Sequence, residues 1–439
     1  MTITAALASE LARLEWPPLP VRRAGRVAGF DGTTITAVGI ESQVGARARI
    51  GPQALAAEVI GFTRGQALLM GLSPLIGIMP GMAVETAGVE TQVEVGPGLL
   101  GRVIDGLGRP LDGCGPLRDV PLRVALSGDT LAPSARSRVT LPLACGVRAI
   151  DALLTLGRGQ RIGIMAGTGV GKSVLLGQIA RWAQADVVVM ALIGERGREI
   201  TDFIETELAG PARSRTVTLA VPAGDAPLVR VRGAQRALAI AEGFRGQGAH
   251  VLLILDSLSR VVHGAREVAL ARGESGGARG YPPSALALVS QLAERAGGDR
   301  ASGGAITCIA TVLAEADQGS DPVVDAARGV MDGHILLSRK LAGAGIFPAI
   351  DLAASASRVM ADVCDPEHLA AAARFRRLSA LIEDNRDLVL MGAYAPGSDA
   401  ELDAALALAP RLEAFRQQPR AQRADFAAAR AALTELVLA

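Results

Sequence analysis

Runs of valine, isoleucine and leucine recur between residues 151 and 360, at 161–165, 187–193, 217–221, 251–255, 306–313 and 334–337, with helical stretches between them. Runs of strand length that are apolar on both faces belong in a parallel sheet covered by helices. The region reads as an α/β core. Residues 21–92 have a different texture, with short alternating apolar runs split by glycines, which predicts a small antiparallel β-barrel. From 97 to 150 proline and glycine are dense, and that stretch reads as a turn-rich connector. From 361 to 439 alanine and leucine alternate with arginine, glutamate and aspartate at helical spacing, predicting a helical domain. At the start, Leu7, Leu11 and Leu14 form an amphipathic stripe that Pro17, Pro18 and Pro20 terminate. The expected organisation is a lead segment over 1–20, a barrel over 21–92, a parallel-sheet domain with its connector over 93–360 and helices over 361–439.

Composition narrows the class. At 439 residues and 49% hydrophobic, the chain is too long for one ordinary core. No apolar run approaches the ~18 residues that a membrane span requires. Basic and acidic residues number 45 and 44, giving a net charge of +1, and aromatics make up only 3%. That balance lacks the basic footprint and stacking platforms of a nucleic-acid binder. The start of the chain has neither the basic nor the apolar stretch of a secretory signal, and Cys114, Cys145, Cys308 and Cys364 show no Cys-x-x-Cys spacing. A reducing cytosol is the expected compartment.

The candidate chemistry gathers after the predicted strands. Residues 161–166 run into Gly167-Thr-Gly-Val-Gly-Lys-Ser173, a glycine-rich turn that opens a helix. Such a turn directs successive backbone N–H groups and the positive helix end at a polyphosphate. Lys172 then reaches the β- and γ-phosphates, and the Ser173 hydroxyl ligates Mg²⁺. The full motif asks for glycine six residues before the lysine, where this chain has Ala166. After residues 187–193 comes Gly194-Glu-Arg-Gly-Arg-Glu199, in which Glu195 is placed to polarise a water for in-line attack. Residues 251–255 deliver Asp256, suited to hold Mg²⁺ through its water shell, and Arg260 follows to neutralise phosphate or brace Asp256. Phe347 and Arg358 stand just outside the run at 334–337. Taken alone they read as a core phenylalanine and a solvated arginine.

Together with Gly280-Tyr-Pro-Pro-Ser284, Asp332-Gly-His-Ile335 and Ser355-Ala-Ser-Arg358, these segments resemble the type III protein-export ATPases, relatives of the rotary ATP synthase catalytic subunit. The resemblance runs from about residue 21 to the end. It implies a RecA-like P-loop core and a homohexameric ring with ATP and Mg²⁺ at subunit interfaces. It makes Gly167, Thr168, Gly169, Val170, Gly171, Lys172, Ser173 and Val174 the phosphate cradle, Ser173 and Asp256 the Mg²⁺ ligands, Glu195 the general base and Phe347 a neighbour of adenine. Arg358 matches the arginine finger that reaches a neighbouring subunit's ATP.

The implied location is the cytoplasm, peripheral to the membrane beneath an export gate. The implied partners are an ATPase regulator, with residues 1–20 as a docking handle or as a helix folded on its own protein, a stalk protein, and export chaperones with their substrates. Leu156-Gly-Arg-Gly-Gln160 and Gly392-Ala-Tyr-Ala-Pro-Gly-Ser-Asp399 favour the flagellar branch over the injectisome. The competing readings are a rotary ATP synthase subunit, which the Tyr-Pro-Pro-Ser segment and short tail oppose, and a Rho-like RNA translocase, which the charge balance opposes. The chain departs from its relatives at Ala310, at 316–318 and at 275–277, positions expected on the inner loops of a ring.

Overall fold

The computed structural model describes residues 24–128, 130–314 and 321–438, without the side chain of Ala278. The predicted lead segment and the 316–318 departure lie outside the described residues. Contacts divide the chain into two compact units, 1–90 and 91–439.

In the first unit, strands β1 (Gly25–Phe30), β2 (Thr34–Val38), β3 (Ala46–Ile50), β4 (Leu55–Thr63), β5 (Gln66–Gly71) and β6 (Ala83–Val89) close into a barrel in the order β1-β2-β5-β4-β3-β6. Each neighbouring pair is antiparallel. Closure leaves no sheet edge unpaired. The inward positions carry Ile35, Ile50, Val59, Leu69 and Val84 with several alanines, a set small enough to fill a narrow interior.

The second unit is built on a sheet whose main path contains β7 (Val103–Ile104), β8 (Arg161–Ala166), β9 (Val187–Glu195), β10 (Thr216–Pro222), β11 (His250–Asp256), β12 (Ala305–Leu313), β13 (Gly333–Leu337) and β14 (Ile350–Ser357), in the spatial order β14-β13-β8-β12-β11-β9-β10-β7. Every pairing on that path is parallel except β13 with β14. The helices that cover it include α1 (Arg148–Leu153), α2 (Lys172–Trp182), α3 (Gly197–Asp202), α4 (Pro227–Gly246) and α5 (Leu258–Ala271). The central strands are buried along their length, as their unbroken apolar runs require.

Two strands on this path were not expected. Part of the connector, β7, pairs with β10 at one edge. At the other edge β14 reverses direction, and its small residues alternate between buried and exposed, so no apolar run announces it. Ala310, grouped with ring loops in the sequence reading, lies fully buried inside β12. The position belongs to the core of the sheet and not to a loop.

The tail folds as α6 (Pro366–Asp384), α7 (Ala400–Arg416) and α8 (Phe426–Leu438), the first two capped by Asp365 and Asp399 side chains that accept from backbone N–H groups. Its apolar stripes, with Phe375 against Phe415 at 5.6 Å, join the same core as α1 and α2. No helix among the described residues is long and apolar enough to cross a membrane.

His250 opens β11 fully buried, with Nδ1 3.0 Å from the Gln184 carbonyl oxygen and Nε2 2.9 Å from Thr307 Oγ1. Burial, helped by Arg158, lowers its pKa to about 4. The unfolded ring titrates near 6.5, so it binds more protons than the folded one between about 6.5 and 4, and stability falls as pH falls through that window, by a few kcal/mol in total. Burial raises Asp151 to about 6 against the backbone donors at Cys145 and Gly146, which gives the opposite slope between about 4 and 6. The histidine is therefore isolated by comparison with a variant. The stability advantage of wild type over His250→Gln in chemical denaturation is expected to shrink from pH 7 to pH 4, and a constant difference contradicts the assignment.

Candidate nucleotide site

The carboxyl ends of β8, β9 and β11 lie side by side on the path through β12, and each delivers one charged group. Beyond β8 the chain turns at Gly169 (φ +77°) and Gly171 (φ +84°) before α2 begins at Lys172. Both glycines occupy the left-handed region that side chains disfavour. A Cβ on Gly169 would meet nothing within 4 Å, so the loop faces open space, whereas a Cβ on Gly171 would touch the Phe347 ring at 3.3 Å. No side chain caps the start of α2, which leaves its first N–H groups available to an anion. Thr168 and Gly169 are exposed, Val170 is buried in the core, and Ser173 and Val174 follow in the first helical turn, the serine exposed.

Lys172 Nζ donates to Asp256 Oδ1 at 2.5 Å and to Glu195 Oε1 at 3.0 Å. Thr311 Oγ1 donates to the same Asp256 oxygen at 2.6 Å. Burial opposes the lysine's charge, but the two carboxylates outweigh it and hold its pKa above the ordinary value. Glu195 reaches this position through an irregularity in the β9–β10 ladder between Ile193 and Glu195, with Gly194 at φ +76°. Bulges of this kind re-aim a side chain at the end of a strand. A Cβ on Gly194 would lie 2.5 Å from Arg260 Cβ, so the Arg260 stem runs directly beneath the Glu195 turn. Arg260 Nε is buried and has no hydrogen-bond partner among the described residues.

A cavity of about 590 Å³ adjoins the loop, lined on one side by Gly169, Gly171 and Phe347 and on the other by residues 417–420. Its size suits a nucleotide-scale ligand. Phe347 is 43% exposed. Arg358 is elsewhere. It follows β14, whose end at Ser357 pairs with Gly333 at the start of β13, so it sits at the amino edge of the parallel strands. Phe347 precedes the same strand, and an eight-residue strand spans roughly 25 Å. On sequence both residues stand outside one strand end, whereas the unexpected β14 puts them at opposite edges of the sheet. Arg358 does not reach Lys172 within one copy.

Residues 146–357 match the ATP synthase alpha/beta family, nucleotide-binding domain, and residues 364–435 match the T3SS EscN ATPase C-terminal domain. The chain is 48% identical over 419 residues to the flagellum-specific ATP synthase of Salmonella typhimurium, covering 92% of each. The structure of the assembled ATPase EscN from the enteropathogenic E. coli type III secretion system superposes with a TM-score of 0.90 at 40% identity, over 94% of this chain and 99% of that one. EscN in complex with its central stalk EscO matches with a TM-score of 0.87 at 39% identity, over the same shares. The chain belongs to the type III protein-export ATPases.

As a member of this family the export ATPase is an ATP hydrolase of the P-loop class. Its donor set fits Mg²⁺. Ser173 and Asp256 offer a hydroxyl and a carboxylate, oxygen donors of the kind that Mg²⁺ accepts while it takes its other ligands from water and phosphate. Three contributors were missed in the sequence. Thr311 comes from the interior of β12, where nothing marks it. Arg339 places its guanidinium 2.9 Å from where a Cβ on Gly167 would sit. Gln418, almost fully buried, donates from its N–H to the Phe347 carbonyl and from Nε2 to the Gly146 and Gln422 carbonyls, while Oε1 accepts from Arg148 N–H. The one available signal was the polar break Gln417-Gln-Pro-Arg420 between two Ala/Leu-rich helices.

Lys172→Met leaves two carboxylates facing each other without their cation, an expected loss of about 1–3 kcal/mol at pH 8. Adding Asp256→Asn removes the repulsion and is expected to restore part of the melting temperature. A melting temperature unchanged in the single variant contradicts the cluster.

Proposed function

We propose that this chain hydrolyses ATP as a ring of identical subunits that serves type III protein export, releasing chaperones from substrates, unfolding them and delivering them to a membrane gate. The observation that carries the reading is Lys172 held between Glu195 and Asp256 at the mouth of an open glycine-lined loop. A γ-phosphate entering there competes with both carboxylates for the ammonium, and its arrival frees Glu195 to accept a hydrogen bond from a water in line with the phosphorus. The ammonium stays beside the phosphate as charge builds on the equatorial oxygens. Arg260, beneath the turn, supplies a second cation with an unsatisfied N–H. Ser173, and Asp256 through water, would hold Mg²⁺, which would supply charge neutralisation at the phosphates. Phe347 offers an aromatic face to the base.

Arg358 acts on the ATP of a neighbouring copy in this reading, which is supported by its place at the far edge of the sheet and by the assembled state of EscN. A stalk protein is a proposed partner by analogy with EscO, as are a regulator bound through residues 1–20, the chaperones and the gate. We assign the protein to the cytoplasmic face of the membrane and divide it into barrel, ATPase domain and helical tail, in keeping with the separate matches at 146–357 and 364–435. We favour the flagellar machine over an injectisome on the segments Leu156–Gln160 and Gly392–Asp399.

Glu195→Gln keeps the size of the side chain and removes its basicity. The variant is expected to bind ATP with wild-type affinity and to lose turnover by about a hundredfold or more. Near wild-type hydrolysis excludes Glu195 as the base.

A further inference from the structure

Glu207 ends the π-helical stretch Phe203–Glu207, which continues directly from α3 and thus from the turn that carries Glu195. Its carboxylate is 4% exposed, and each oxygen meets a guanidinium. Oε2 accepts from Arg181 Nη1 at 2.5 Å, a group that also donates to the Glu207 carbonyl at 3.1 Å, and Oε1 accepts from Arg420 Nη2. Arg181 lies in the last turn of α2, the helix that Lys172 begins. Arg420 belongs to the tail segment that lines the nucleotide cavity.

Two further contacts tighten the junction. A Cβ on Gly177 would fall 2.2 Å from Glu207 Oε2, so α2 approaches the carboxylate where it carries no side chain. Gln178, buried and lining the same cavity, donates from Nε2 to the Arg420 carbonyl at 3.3 Å. One buried carboxylate therefore joins the phosphate-loop helix, the continuation of the Glu195 turn and the C-terminal wall of the cavity. Losing either cation leaves one carboxylate oxygen without its charged hydrogen-bond partner, which is costly for a group this buried. Single-turn π-helical segments are also frequent at functional sites.

We infer that Glu207 is a positioning residue of the ATP site. It acts through Arg420 and Arg181, setting the distance of the tail wall from the phosphate loop and from the Glu195 turn. The inference rests on the assignment of the cavity to ATP. With the ion pair cut, residues 417–420 are released from α2 and the cavity loosens on its base side. Misplacement of binding groups on this scale weakens ATP binding more than it slows the chemical step.

The test is steady-state hydrolysis with a parallel titration of a fluorescent ATP analogue, at protein concentrations where wild type is assembled. Glu207→Gln and Arg420→Ala are each expected to raise KM about tenfold with a smaller fall in kcat, and the double variant is expected to be no worse than the more affected single one. Arg420→Lys, which keeps the cation, is expected to stay within about twofold of wild type. An unchanged KM in Arg420→Ala overturns the inference, as do effects that multiply in the double variant. Should Glu207→Gln fail to fold, the Arg420 side chain, 58% exposed, still decides the matter. A raised KM in Arg420→Ala that Arg420→Lys escapes supports the ion pair, and equal behaviour of the two refutes it. Wild type that shows no titration with the ATP analogue removes the reading of the cavity and the inference with it.

Discussion

One ammonium group, on Lys172, neutralises carboxylates that two different strands bring to the same few ångströms, at 2.5 Å for Asp256 and 3.0 Å for Glu195. Without it the carboxyl ends of β9 and β11 would present adjacent negative charges in a half-buried place, a costly arrangement. With it, the strands can converge and the turn between Ala166 and Lys172 can stay open. The same cluster explains how an anion is admitted. In the proposed reaction a phosphate takes over the lysine's hydrogen bonds, the accompanying Mg²⁺ would supply the positive charge that the carboxylates lose, and these are released for the base and metal roles proposed for them. The sheet supplies the rigidity that this exchange needs, since its central strands are buried along their length.

The reversal of β14 sets the second constraint. Because the strand runs against its neighbour, the loop before it, with Phe347, stands over the phosphate loop, while the residue after it, Arg358, stands at the opposite edge. The Asp332 carbonyl accepts from the Arg358 N–H at 2.9 Å, and Asp332 is itself gripped by Arg161 through 3.1 and 3.0 Å contacts. The arginine is thus anchored to the first residue of the strand that leads into the phosphate loop. In the proposed ring, Arg358 is the cation that one subunit's sheet would present to the next subunit's cavity. The C-terminal wall, tied down by Gln418 and Arg420, completes the cavity within a single chain.

Much of this was legible from sequence for a physical reason. Parallel strands buried on both faces leave long apolar runs, and the runs at 187–193 and 251–255 lie wholly within β9 and β11. The charged residue that ends each run then stands at a carboxyl edge, so Glu195 and Asp256 were visible before any fold was known. Elements whose stability comes from partners were hidden. The strand β14 is an edge strand of small residues, β7 is a two-residue addition to the far edge, and Thr311 is an ordinary threonine until β12 brings it against Asp256. Gln418 and Arg420 were hidden as well, because their role depends on a tail folding back across more than two hundred residues to meet Gly146 and Glu207. Roles that rest on long-range contacts leave no local pattern.

In the proposed ring a working site takes Glu195 from one copy and Arg358 from another, which can be checked by mixing two inactive proteins. Glu195→Gln and Arg358→Ala, each purified alone, are mixed in equal amounts under assembling conditions and assayed for ATP hydrolysis. In randomly mixed rings about a quarter of the interfaces pair an intact Glu195 with an intact Arg358 from the neighbour, so activity near that fraction of wild type is predicted. A mixture as inactive as its two components, with mixed rings demonstrated, contradicts the account.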